Sequence, residues 1–254
     1  MLLSFSKESA RRFSILGVLL CVGWAADVRA QKRRVPPGGH TAVVVDERLA
    51  ALRGTPDLSG RLLSRLGRGR FVSIRGSTRS RDGLSFYRVQ VSRRKSGWLE
   101  SEAVIASWRA GDDERLLRMI WRSDDFERVV QARIFLDTFP RSRRRPAVLL
   151  LYGDAAEEAA KKVTREARRR LERHEQPQNG EERATNVPEF SYFLNDVGLD
   201  RYNRQGIRFV FDAATKSLHY DGAAWRDIVR RYPQSPEADA AGKRLERLAA
   251  TKTR

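Results

Sequence analysis

The sequence predicts an α+β chain of more than one domain, in which a small antiparallel β-barrel is followed by an α-helical domain built of helical hairpins. Three observations predict it. Residues 41–106 have a hydrophobic period of two, broken by Gly-bearing turns at the short, regular spacing of a small barrel or sandwich. Residues 107–175 and 221–254 instead place apolar residues at i, i+3 and i+4, the helical period. Two of the helical stretches stop at an aromatic-Pro dipeptide followed two residues later by Ser, a layout suited to ending one helix and starting the next.

Composition narrows the classes of function. Of 254 residues, 41% are hydrophobic and 32% charged, values of a folded chain and neither a disordered tail nor a membrane bundle. Three His and one Cys count against thiol catalysis, zinc ribbons and disulfide scaffolds. The formal charge is +18, with only eight Lys among 50 basic residues.

Residues 1–30 read as a secretory signal peptide. Lys7, Arg11 and Arg12 precede an apolar run over residues 13–26, and Val28 and Ala30 suit the small positions before a cleavage site after Ala30. At about 14 residues the run is too short to span a bilayer. Leu20 before Cys21 is unlike the Gly or Ala that precedes a lipid-anchor cysteine, and Ser14 departs from a twin-arginine signal, so general export is preferred. Cleavage removes four Lys/Arg and two Asp/Glu, leaving +16 and no thiol. The expected location is the periplasm or cell envelope. Residues 31–40 (QKRRVPPGGH) read as a flexible linker.

Within 41–106, TAVVV at 41–45 is a β-branched run. Residues 61–66 and 70–74 flank Gly67-Arg68-Gly69. Residues 86–91 alternate, with Tyr87, Val89 and Val91 on one face and Phe86 opposite, and Gly97-Trp98-Leu99 opens the last strand. The order of Leu52-Arg53 before Gly54-Thr55-Pro56, Phe86-Tyr87-Arg88-Val89 and Ser96-Gly97-Trp98-Leu99 resembles a bacterial SH3 domain, with Phe86 where that family often has Trp. The resemblance covers about a quarter of the chain and implies binding of a cell-wall peptide or a protein. Arg53 at the first loop, Phe86 and Trp98 are the candidate ligand contacts. Peripheral packing for Phe86 and core packing for Trp98 are the competing roles.

Residues 107–175 read as helical. Leu116, Leu117, Ile120 and Trp121 form the stripe of a first helix. Ser123 can cap a second, striped by Phe126, Val129, Val130, Ile134 and Phe135 and ended by Pro140. The basic residues Lys161, Lys162, Arg168, Arg169 and Arg170 read as a solvated face of a third. Residues 176–187 fall in a polar loop. In the segment 188–254, Phe190, Tyr192, Phe193 and Leu194 must pack somewhere, and alternation around residues 212–216 suggests a hairpin. Trp225, Ile228 and Val229 line a helix ending before Pro233, and Ser235 and Pro236 open the last one.

Phe139-Pro140-Arg141-Ser142 and Tyr232-Pro233-Gln234-Ser235 repeat one layout 93 residues apart. Such units resemble tetratricopeptide repeats, which implies protein–protein interaction. Two units are fewer than the three or so that a solenoid needs.

No G-x-S-x-G, H-E-x-x-H or phosphate-loop pattern occurs. His40, His174 and His219 are scattered, and His219 beside Asp221 lacks a nucleophile nearby in sequence. No cofactor or metal is expected. The reading is an exported, non-enzymatic envelope scaffold whose ligand is a protein or peptidoglycan-type wall component, with anionic envelope polymers as further partners. Its rivals are a basic nucleic-acid-binding module, favoured by charge alone, and a wall hydrolase with an SH3-like targeting domain.

Overall fold

The structure is a computed structural model that describes residues 39–175 and 197–252. The expected signal peptide with Cys21 and Ala30, nearly all of the 31–40 linker, the 176–187 loop and the aromatic residues at 190–194 lie outside the described residues.

Seven strands form an antiparallel sheet: β1 (His40–Val44), β2 (Ala51–Arg53), β3 (Leu62–Arg65), β4 (Phe71–Arg79), β5 (Ser85–Ser92), β6 (Lys95–Glu100) and β7 (Val104–Ile105). Their spatial order is β3-β2-β6-β5-β4-β1-β7. The expected barrel is therefore corrected to an open sheet, because its outer strands β3 and β7 do not pair. β7 offers only two residues for pairing, and its Ile105 packs among the helices instead.

β1 shows how sheet and helices are joined. Ala42 and Val44 enter an apolar cluster with Leu52, Val72, Val89 and Leu99, whereas Val43 and Val45 enter a second cluster with Leu116, Phe135 and Trp225. Side chains alternate across a strand, so a continuous β-branched run is buried on both faces. β7 repeats the division, with Val104 in the first cluster and Ile105 in the second. The described residues form one compact unit.

Six helices are described: α1 (Asp112–Arg122), α2 (Asp125–Thr138), α3 (Arg145–Glu175), α4 (Val197–Asn203), α5 (Ala223–Arg231) and α6 (Glu237–Lys252). The hairpin at 212–216 is present as β8 (Phe209–Asp212) paired with β9 (Ser217–Tyr220). The mixed α/β architecture is as expected.

α3 is the spine, packed against α2, α5 and β9. Ala155, Ala156, Ala159, Ala160 and Ala167 are buried along it, and small side chains let neighbours approach closely. The Leu218 amide donates to Thr164 Oγ1 at 2.9 Å and the Tyr220 amide to Glu157 Oε2 at 2.8 Å, pinning β9 to α3.

Four local expectations are corrected. Ser123 closes α1 and does not cap α2: its Oγ donates back to the Ile120 carbonyl at 2.9 Å. Trp121 and Val229 leave their helices' buried stripes, at 61% and 41% exposure, because Ile120 and Ile228 already fill the facing positions. Ser235 makes no side-chain cap; its backbone carbonyl accepts from Ala238 at 3.0 Å, while its Oγ is buried without a partner.

Candidate functional site

The sheet brings Arg53 and Trp98 together as cross-strand partners on β2 and β6, with Arg88 of β5 opposite Trp98 on its other side. Gly97 permits this closeness. A Cβ there would stand 2.7 Å from the Arg53 carbonyl oxygen, so Gly-Trp is the local device that lets β6 cross β2. The Arg53 guanidinium donates to the Gly60 carbonyl at 2.8 Å and thereby closes the loop between β2 and β3. Trp98 is half-buried.

Phe86 is not beside them as an exposed ring. It is 1% exposed, so it offers no face to a ligand, and the expected contact is corrected. The β4–β5 ladder pairs Ile74 with Val89 and then Gly76 with Arg88, skipping Arg75. Alternation still holds along β5: Tyr87, Val89 and Val91 pack in the sheet's cluster and Phe86 is not part of it, so Phe86 is buried on the other face. Phe86, Val89 and Val91 are all buried, while Tyr87 is half-exposed. Glu100, opposite Phe86, is pushed above the usual carboxylate range by burial, with Glu102 and Asp46 adding to the rise.

The exposed aromatic on this part of the molecule is Trp108, which the sequence reading did not single out. It is 45% exposed, and its Nε1–H donates to the Thr41 carbonyl at 3.1 Å. The His40 ring lies 5.2 Å away and the Tyr87 ring 6.5 Å away, edge-on. Tyr87 also lines a cavity of about 330 Å³ whose other walls are Ser77, Thr78, Arg79 and Ser85. Its hydroxyl is 3.3 Å from Arg109 Nη1. Arg109 is held in turn by Asp112 at 2.8 Å, and Asp112, 2% exposed, accepts the Ala106 amide at 2.8 Å. The first-turn acid of α1 thus anchors the platform as well as facing the helix's positive end.

On the helical side, the two repeated turns fold alike. Phe139 N–H donates to Phe135 O at 2.8 Å and Ser142 N–H to Phe139 O at 3.2 Å; Tyr232 N–H donates to Ile228 O at 2.8 Å and Ser235 N–H to Tyr232 O at 2.9 Å. The backbone at Phe139 (φ −119°, ψ 63°) resembles that at Tyr232 (φ −132°, ψ 48°). The turns meet: residues 140–143, Pro146 and residues 231–235 line one groove of about 540 Å³. Sequence reasoning found the repeat but not that its two copies converge.

A third constellation surrounds His219, and it corrects the expectation of no hydroxyl nearby: Ser217, two residues earlier, and Glu157, not Asp221, are its partners. Its Nδ1 is 3.2 Å from Glu157 Oε1 and its Nε2 2.9 Å from Ser217 Oγ, an acid–imidazole–hydroxyl order. Ser217 Oγ also lies 2.6 Å from Thr215 Oγ1, which donates to Asp212 at 2.8 Å. Thr215 holds the Asp212 carboxyl below its usual value. The serine is thus one member of a hydrogen-bond chain that ties the β8–β9 turn together, and Glu157 simultaneously binds the Tyr220 amide. Nucleophilic catalysis needs a hydroxyl directed at a substrate site, whereas this chain ties strand to helix.

No group of three or more potential metal ligands occurs among the described residues, and no described helix is long and apolar enough to cross a membrane. The chain matches no protein-family model, no curated protein and no solved structure.

Proposed function

We propose that this is an exported, non-enzymatic binding protein of the cell envelope, in which the SH3-like sheet holds a wall component and the tetratricopeptide-like hairpins hold a protein partner. The observation that carries the reading is Trp108. Its indole N–H is already used by Thr41, which fixes the ring's orientation, and 45% of the residue stays exposed as apolar aromatic surface. Exposed aromatic surface of this kind suits the C–H side of a saccharide ring. Beside it, the Ser77, Thr78 and Ser85 hydroxyls and Arg79 line a cavity able to hydrogen-bond sugar hydroxyls. An apolar platform with a few convergent polar groups is the general form of a small-ligand site. The signal-like order of residues 1–30 supports export, which would bring the platform to the wall.

The reading is tested by sedimentation of the purified chain with insoluble peptidoglycan sacculi, and by fractionating cells with N-terminal sequencing of the protein. Binding that Trp108→Ala abolishes, together with a mature N-terminus after Ala30, is the expected result. Undiminished binding by Trp108→Ala would remove the platform from the proposal. An intact chain starting at Met1 in the cytosol would remove the envelope role and favour the nucleic-acid alternative.

A further inference from the structure

The groove between the two repeated turns has a chemistry that names its partner more closely. It rests on the reading of the helical hairpins as a docking part, and it is independent of the wall ligand. Its lining contains Arg141, Arg143 and Arg231 and no Asp or Glu. Arg141 and Arg143 are exposed and have no carboxylate partner among the described residues. Arg231 shares Asp227 with Arg230, at 2.8 and 3.2 Å, so one acid stands against two guanidinium groups. Behind the other turn stand two acids of α1: Glu114 binds Arg144 at 3.2 Å, and Asp113 accepts from the groove-lining Ser142 Oγ at 2.7 Å, so Asp113 and Asp227 stand against four guanidinium groups, those of Arg141, Arg143, Arg230 and Arg231. The groove is left with a surplus of positive charge and with arginines supplied by both turns.

The remaining lining is Pro140, Pro146, Pro233 and the half-buried Tyr232 ring, which is apolar surface. A free phosphate would leave that surface unused. An extended peptide would cover it with side chains and place carboxylates on arginines at both walls, each guanidinium being able to grip a carboxylate with two parallel hydrogen bonds. The volume, about 540 Å³, is that of a site for a short segment and not a whole domain. We infer that the paired aromatic-Pro-x-Ser turns form a docking groove for an extended acidic peptide segment of a partner protein.

The test uses the full chain and fluorescently labelled ten-residue peptides of alternating Glu and apolar or Pro residues, read by anisotropy. A matched peptide with Gln for Glu and a single-stranded oligonucleotide of equal charge serve as comparisons. The acidic peptide is expected to bind at least about tenfold more tightly than its neutral match, with affinity falling as salt rises. Arg141→Gln with Arg143→Gln is expected to weaken it about tenfold, and Arg231→Gln to weaken it further. These side chains are on the surface, so the fold is retained, and unchanged far-UV circular dichroism verifies it. Arg93→Gln with Arg94→Gln, exposed in the β5–β6 turn, is expected to have no effect. Equal loss from the Arg93/Arg94 variant, equal binding of the neutral peptide, or stronger binding of the oligonucleotide would overturn the inference. Sacculus binding by the Arg141/Arg143 variant separates the two proposals: it persists if only the groove fails, and its loss in Trp108→Ala leaves peptide binding intact if only the platform fails.

Discussion

Gly153 shows how one missing side chain sets the distance between two helices. It lies inside α3, where glycine costs roughly 1 kcal/mol relative to alanine. A Cβ at that position would stand 2.8 Å from Trp225 Cδ1 and 2.9 Å from Cε2. Trp225 is buried against Tyr220, ring centres 5.3 Å apart and edge-on, and cannot retreat without opening the core. Gly153→Ala is therefore expected to destabilise the protein by about 1–3 kcal/mol despite its better helix propensity, read as a lower urea midpoint. An unchanged or raised midpoint would show that the indole yields. At the same scale, Asp112→Asn removes the counter-charge of Arg109 and Arg115 at a buried position. A loss of about 3 kcal/mol is expected, with reduced order at the Trp108 platform seen as a change in tryptophan emission.

At the scale of the element, α3 is the reference for everything C-terminal to it. Tyr152 on α3 donates its hydroxyl to the Gln205 carbonyl at 2.6 Å, joining α3 to the segment after α4. Burial pushes this hydroxyl up to about 12, and burial also raises Tyr220. In the unfolded chain a tyrosine titrates near 10. The folded form holds its proton more tightly, so the stabilisation is complete below about pH 10 and is lost as pH rises towards 12. The loss attributable to Tyr152 is at most roughly 2–3 kcal/mol. Alkaline denaturation followed by circular dichroism should show wild-type stability falling over that window, and Tyr152→Phe should fall less steeply from a lower starting value. Parallel curves for the two proteins would refute the assignment.

Across the whole molecule, β1 is the seam. Ala42 and Val44 complete the sheet's own cluster, and Val43 with the following Val45 completes the helical one. Removing either cluster exposes one side of the same strand. Sheet and helices are therefore expected to unfold in a single transition, with tryptophan fluorescence and far-UV signals coinciding. Val43→Ala is expected to lower both together by about 1–2 kcal/mol. Two separated transitions would show that the strand does not couple the parts.

Much of the architecture could be read from the chain because it is written in local periods. The β-branched run at 41–45, the turns around Gly67 and Gly69, the stripes of α2 and α5 and the hairpin at 212–216 all follow from side-chain spacing and turn residues. The candidate site was legible only in pieces. Arg53 and Trp98 were named and do meet; Phe86 lies outside the cluster of Tyr87, Val89 and Val91, as alternation put it, but it is buried there, and alternation counting does not reveal what covers a face. Trp108 carries no local signal: a single aromatic in ASWRAGDD becomes a platform only when Thr41, 67 residues earlier, takes its N–H.

By itself, the amino-acid order determined which segments become strand or helix, where the repeated turns lie, and that the chain carries a large excess of arginine. Spacing, proline and glycine act over a few residues, so these outcomes need no distant partner. Tertiary structure alone decided that the sheet stays open, that β1 serves two cores, and that turns 93 residues apart share one basic groove. Each of those depends on which faces find one another when apolar surface leaves water, a choice made between segments that sequence proximity does not connect.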